Sequence, residues 1–151
     1  MGDMEDITIL QPHPEFTNAG AGRMGRLLKP TKLDEICTRL SQSLELDGLR
    51  VAPAHQKAIS DIMVHQIAVC PGAGHSVVSM ARKHDLVVTG EMSHHAVLAQ
   101  QNAGITTILT EHSNCERGFL PILSSRLQQR HPHLEVFCSK VDADPLQYWS
   151  L

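Results

Sequence analysis

The chain has 151 residues, 42% of them hydrophobic and 19% charged, a balance that excludes a disordered polymer and suits one domain with a buried core. Only 3% are aromatic, so that core must be aliphatic. A formal charge of -3 with no basic stripe argues against direct nucleic-acid binding, and no apolar run reaches the length of a membrane span.

The chain opens Met1-Gly2-Asp3, an ordinary start with no secretory signal. "ITIL" (7–10) predicts a short strand ended by "QPHP". In "NAGAGRMGRLLKP", Gly20, Gly22 and Gly25 spell G-x-G-x-x-G. Pro30 follows too closely for a helix to open on the last glycine, as a dinucleotide fingerprint requires. This stretch therefore predicts a flexible turn between β segments. "TKLDEICTRLSQSL" predicts a helix capped by Thr31, with Leu33, Ile36, Cys37, Leu40 and Leu44 at helical spacing.

"LRVAP" predicts a strand stopped by Pro53, and "IMVHQIAVCPGAG" a strand ending in a glycine turn. The helix "HSVVSMARKH", the strand "LVVTG", the helix "EMSHHAVLAQQNAG" and the strand "ITTILT" follow. One further helix is predicted over "SNCERGFLPILSSRLQQRH" and a last strand over "LEVFCS"; the tail "DADPLQYWSL" reads as irregular. This alternation predicts a single α/β domain, a mixed sheet with helices packed on it. The strands are almost continuously apolar, which fits burial on both faces.

Ligands of α/β sheets gather at the carboxyl ends of strands. Three such ends carry polar or glycine-rich sequence here: "CPGAGHS", "TGEMSHH" and "TEHSNCERG". Parallel neighbouring strands would bring them together. In the third, His112 and Glu116 stand at i and i+4, on one side of a helix. They could be two metal ligands, an imidazole and a carboxylate. They could equally be helix-start chemistry, with Ser113 or Asn114 as cap and Glu116 complementing the helix N-terminus. Glu91 is a candidate base, ligand or cap. His94 and His95 diverge by about a hundred degrees on a helix, so they seldom share an ion.

Gly72 and Gly74 permit a tight turn or an anion-binding nest. Neither a Ser-His-Asp triad on Ser76, Ser93 or Ser113 nor a Cys115 thiolate is favoured by the spacing. His13, His55, His65, His84, His131 and His133 show no partner spacing and read as structural. The four cysteines lack any C-x-x-C, so reduced thiols in an intracellular protein are expected.

"VCPGAGHSV", "TGEMSHHAVL" and "ILTEHSNCERGFL", with "GAGRMGRL" and "DADPLQYW", closely resemble the C-terminal half of the Nif three-like (NGG-one-interacting factor three-like) proteins. The resemblance runs in the same order through nearly the whole chain. It implies an intertwined α/β fold, a dinuclear divalent metal centre (Zn, Fe or Mn) and homo-oligomers. It places His112 and Glu116 on metal ligands and makes Glu91, His94 and His95 candidates for the surrounding shell.

The family's remaining ligands, a histidine pair before a proline and an aspartate, have no counterpart here. The chain accordingly resembles a C-terminal half whose metal site is incomplete and whose uncovered apolar surface favours self-association. Family names imply two functions. One is interaction with protein partners, transcriptional regulators among them, in the cytoplasm, nucleus or mitochondrion. The other is metal-dependent hydrolysis of a nucleotide-like substrate, under a GTP cyclohydrolase-like label, in the full-length form.

Overall fold

A computed structural model describes residues 4–81, 85–146 and 149. The expectations placed on the opening tripeptide, His84 and the end of the tail lie outside the described residues. The strands are β1 (Met4–Pro12), β2 (Gly20–Lys32), β3 (Arg50–Ala52), β4 (Met63–Cys70), β5 (Leu86–Thr89) and β6 (Thr106–Leu109). They form one six-stranded sheet in the order β1-β2-β4-β5-β6-β3. β4, β5 and β6 run parallel, while β1, β2 and β3 join antiparallel. The mixed α/β sheet expected from the alternation is what forms.

The helices are α1 (Leu33–Leu44), α2 (His75–Val78), α3 (His94–Asn102), α4 (Asn114–Arg117) and α5 (Leu120–Arg130). Two short 3-10 turns, Ala54–Gln56 and Ile59–Asp61, link β3 to β4. Helix α1 covers one face of the sheet, where Leu27, Leu33, Ile62, Val64, Ile67, Leu86 and Ile108 are buried together. On the other face Ala68, Cys70 and Val87 pack with Val77 and Val78 of α2. The alternation of buried sides along β4 and β5 is the period-two geometry of a strand enclosed on both faces. Among the described residues no helix is long and apolar enough to cross a membrane.

Four expectations are corrected. The glycine-rich segment is not a turn but strand β2, paired with β1 on one side and β4 on the other. Gly22, at φ +63°, lets the strand pass close to α2, where a Cβ would come within 2.6 Å of the Val77 side chain. Pro30 falls where the β2–β4 register shifts, a place that needs no ladder donor. Thr31 is a strand residue, and Lys32 precedes α1 without a side-chain cap.

The single helix predicted from Ser113 breaks into α4 and α5. Pro121 has no N–H for the Arg117 carbonyl, so the ladder cannot run through. The strand predicted over "LEVFCS" does not form. Side chains of α5 satisfy that segment's backbone instead: Gln128 donates to the Leu134 carbonyl and accepts from the Val136 N–H, and Ser124 donates to the Val136 carbonyl.

Leu86 lies fully buried on the central strand. Leu86→Ala should therefore destabilise the chain by about 2–5 kcal/mol, read as a lowered urea midpoint with an unchanged slope.

Candidate functional site

The carboxyl ends of β4, β5 and β6 meet, as their parallel pairing requires. The Gly72 carbonyl, just past β4, accepts hydrogen bonds from the Gly90 and Glu91 N–H groups at 3.0 and 3.1 Å and from the Thr89 hydroxyl at 3.2 Å. Thr89 in turn accepts from the Gly74 N–H at 3.1 Å. Beyond β6, the Thr110 N–H donates to the Thr89 carbonyl at 3.2 Å. The first loop is thus a tight turn tied to the second. The N–H groups of Gly72 and Gly74 are spent on the Cys115 sulfur and Thr89, so they form no anion nest.

His112 stands where the three loops converge. Its Nδ1 lies 2.8 Å from Oε1 of Glu91, and its Nε2 lies 3.7 Å from Oε1 of Glu116. The Glu91 hydrogen bond, followed by the nearby Glu116 and Glu91 charges, holds the His112 pKa above the ordinary histidine value; desolvation opposes the shift. All three side chains are about half exposed. The Glu91 contact fixes the ring so that Nε2 faces Glu116.

Between them is a gap that Gly72 keeps open. A Cβ there would fall 2.9 Å from the Glu116 oxygen and 3.1 Å from Nε2. An imidazole nitrogen and a carboxylate oxygen 3.7 Å apart over Gly72 could serve as two ligands of one divalent ion. Glu91 fits the carboxylate that orients a ligating histidine. Among the described residues, no three His, Cys, Asp or Glu side chains gather as a metal-holding group.

Of the helix-start alternative, Glu116 does lie in the first turn of α4, but the side-chain cap by Ser113 does not form. The Ser113 hydroxyl donates to Asp144 at 2.6 Å instead. Cys115 touches the backbone rather than the imidazole, with its sulfur 2.9 Å from the His112 carbonyl oxygen. His94 and His95 open α3 with ring centroids 5.8 Å apart, and among the described residues the His112 ring pairs with Glu91 and Glu116 rather than with either. His75 is exposed at the start of α2.

Two residues of the tail belong to the site's frame and carried no local signal. Asp142 accepts from Nε of Arg117 at 2.8 Å, and Asp144 holds Ser113. Arg117 also donates to Ser113 at 3.0 Å. The short helix bearing Glu116 is thereby pinned from outside the loops. Arg117 holds the Asp142 carboxyl below the usual carboxylate range, chiefly by this hydrogen bond. Arg50 of β3 pairs with Glu111, beside His112, at 3.2 Å.

Two outcomes follow. Because the folded-state pKa of His112 is raised, its contribution to stability is complete below the unfolded value and is lost as pH rises through the folded value. Glu91→Gln should lower the His112 pKa in a metal-free NMR titration and should reduce stability in acid but not at alkaline pH. Gly72→Ala, at φ +65°, should cost about 1–2 kcal/mol from the left-handed backbone, with further crowding of the cradle. Denaturant unfolding measures that loss.

Residues 3–145 match the protein family described as Duf34/NIF3 (NGG1p interacting factor 3). The chain is 39% identical over 129 residues to NGG1-interacting factor 3 of Saccharomyces cerevisiae, covering 84% of this chain and 44% of that protein. It is 38% identical over 138 residues to human NIF3-like protein 1, covering 89% of this chain and 35% of that protein. The chain thus spans less than half the length of these relatives. A Bacillus cereus protein related to NIF3 shares the fold at a TM-score of 0.67 and 23% identity, over 86% of this chain and 36% of that one. The motif order, the mixed sheet and these matches agree: the chain belongs to the Duf34/NIF3 family.

Proposed function

We propose that this chain acts through protein contact, first with further copies of itself and then with protein partners of the transcription-regulating class. The observation that carries the reading is α5. Leu120, Leu123 and Leu127 recur at helical spacing, yet the helix has no buried residue. Ile122 is also exposed, at 49%. A helix whose leucines stay about 40% exposed, while its polar side chains hold residues 134–136, offers an interaction surface. A second apolar opening of about 130 Å³, between α1 and the sheet, is lined by Leu27, Ile36, Leu40, Leu44, Val69 and Val88. The name of the yeast relative, NGG1-interacting factor 3, is consistent with a protein partner.

A second reading, metal-dependent hydrolysis of a nucleotide-like substrate, is favoured by the His112 and Glu116 cradle. His112 Nε2 and a Glu116 oxygen would hold one divalent ion, Zn, Fe or Mn, and Glu91 would orient the imidazole. Such an ion would supply Lewis acidity and water activation. Two protein donors fall short of the three or four that zinc commonly takes. The remaining ligands would come from outside these residues.

Sedimentation should find the chain as a dimer or larger. The double variant Leu123→Glu, Leu127→Glu should weaken association by about 2 kcal/mol or more while keeping the native circular dichroism. A clean monomer of the native chain would refute self-association. Metal analysis should find weak divalent binding that His112→Ala and Glu116→Gln each abolish; tight stoichiometric metal that survives both would remove the half-site.

A further inference from the structure

The segment after α5 has strand composition and yet joins no ladder. Its hydrogen bonds follow the alternation of an extended chain. Val136 turns both backbone groups toward α5: its N–H donates to Gln128 at 3.2 Å, and its carbonyl accepts from Ser124 at 3.4 Å. The Leu134 carbonyl accepts from the same Gln128 amide at 2.8 Å. In an extended chain the N–H and carbonyl of one residue share a side, and those of the next residue point the opposite way. Side chains of α5 thus serve one edge of the segment, as a neighbouring strand would. By the same alternation the N–H and carbonyl groups of Glu135 and Phe137 face away from α5, and among the described residues they have no hydrogen-bond partner.

Phe137 is 80% exposed and Leu134 49%. From Leu134 to Ser139 there is no proline or glycine, and Val136 and Phe137 favour strands. A free edge of this composition is a template for strand addition. The two edges of the main sheet, β1 and β3, are blunted by contrast. β1 has a register shift beside Asp6, which lies at φ +53°, and it ends on Pro12. β3 is three residues long and stops before Pro53. Bulges, prolines and short length are the devices that keep an edge from pairing with another chain. Residues 134–138 carry none of them apart from the single charge of Glu135. Of the edges this chain can offer to a second copy, theirs is the one left open.

We propose that residues 134–138 pair with the same segment of a second copy, antiparallel about a two-fold axis at Phe137. Such an isologous pairing matches donors to acceptors one for one, because each copy presents the same alternating edge. The antiparallel direction also keeps the two Glu135 carboxylates apart, whereas an in-register parallel pair would set them side by side. With the two Phe137 residues as the central pair, each exposed ring gains an aromatic neighbour, and Glu135 lies opposite the uncharged Ser139. The inference rests on the self-association proposed above and gives it a specific contact, a backbone ladder beside the exposed leucines of α5.

Amide exchange of the isotopically labelled chain, followed from dilute to concentrated solution, tests this pairing. The Glu135 and Phe137 N–H groups should exchange freely when dilute and become protected as the dimer forms. The Val136 N–H, already bonded to Gln128, should change little with concentration. Phe137→Pro suits an extended backbone but removes the central donor, so in sedimentation it should dimerise at least about tenfold more weakly than Phe137→Ala, which keeps the N–H. Both variants replace an exposed side chain and should keep the native circular dichroism. Equal dimerisation by the two variants overturns the pairing. So does protection of Glu135 and Phe137 that is independent of concentration, which would place their partner within the chain, and so does free exchange at every concentration. A native chain that stays monomeric overturns the pairing and the self-association together. A dimer lost in Leu123→Glu, Leu127→Glu but kept in Phe137→Pro overturns the pairing alone.

Discussion

The Gly72 carbonyl is the point on which the site depends. It accepts from the Gly90 N–H, the Glu91 N–H and the Thr89 hydroxyl, and so locks the loop after β4 to the loop after β5. The same residue's N–H reaches the Cys115 sulfur on α4, at the far side of the cluster. One peptide unit on either side of one Cα therefore ties three loops together. The residue must also be glycine, since its backbone is left-handed and its missing Cβ is the gap between His112 and Glu116. Backbone conformation, loop packing and the spacing of His112 and Glu116 are here a single constraint.

The tail adds a restraint that the loops cannot provide. Helix α4 is one turn long and has no buried residue, so packing alone would not hold it. Asp142 and Asp144 grip Arg117 and Ser113, which flank Glu116 and His112 in sequence. These are exposed contacts, and each alone contributes little to global stability. Their effect lies in orientation: they fix the rotation of a short helix whose neighbours across the cradle are already fixed by Gly72.

Much of this arrangement was legible in the sequence, for a definite reason. The runs Val64–Val69, Leu86–Val88 and Ile105–Leu109 are mostly apolar or β-branched, which marks strands buried on both faces, and buried strands of this kind are usually parallel. Parallel neighbours put their carboxyl ends on one side, so the convergence of His112, Glu91 and Gly72 followed from pattern alone. What stayed illegible depended on distant partners. The glycines of β2 look like turn residues, because only ladders on both sides and the close approach of Val77 make a strand of them. "LEVFCS" has strand composition, but Gln128 and Ser124 satisfy its backbone before another strand can. Asp142 and Asp144 are an ordinary acidic pair until Arg117 is seen beside them.

The distribution of polar and apolar failure in the fold is itself informative. Buried threonines at the ends of β5 and β6 are matched to backbone groups, with Thr107 the exception among the described residues. Apolar side chains are enclosed around β4 and β5, while those of α5 are 40–49% exposed. The two deficits are of opposite kinds. The first is a hydroxyl closed off from solvent, and the second a row of partly exposed leucines. His112 and Glu116 belong to neither class: both are about half exposed and face each other over Gly72.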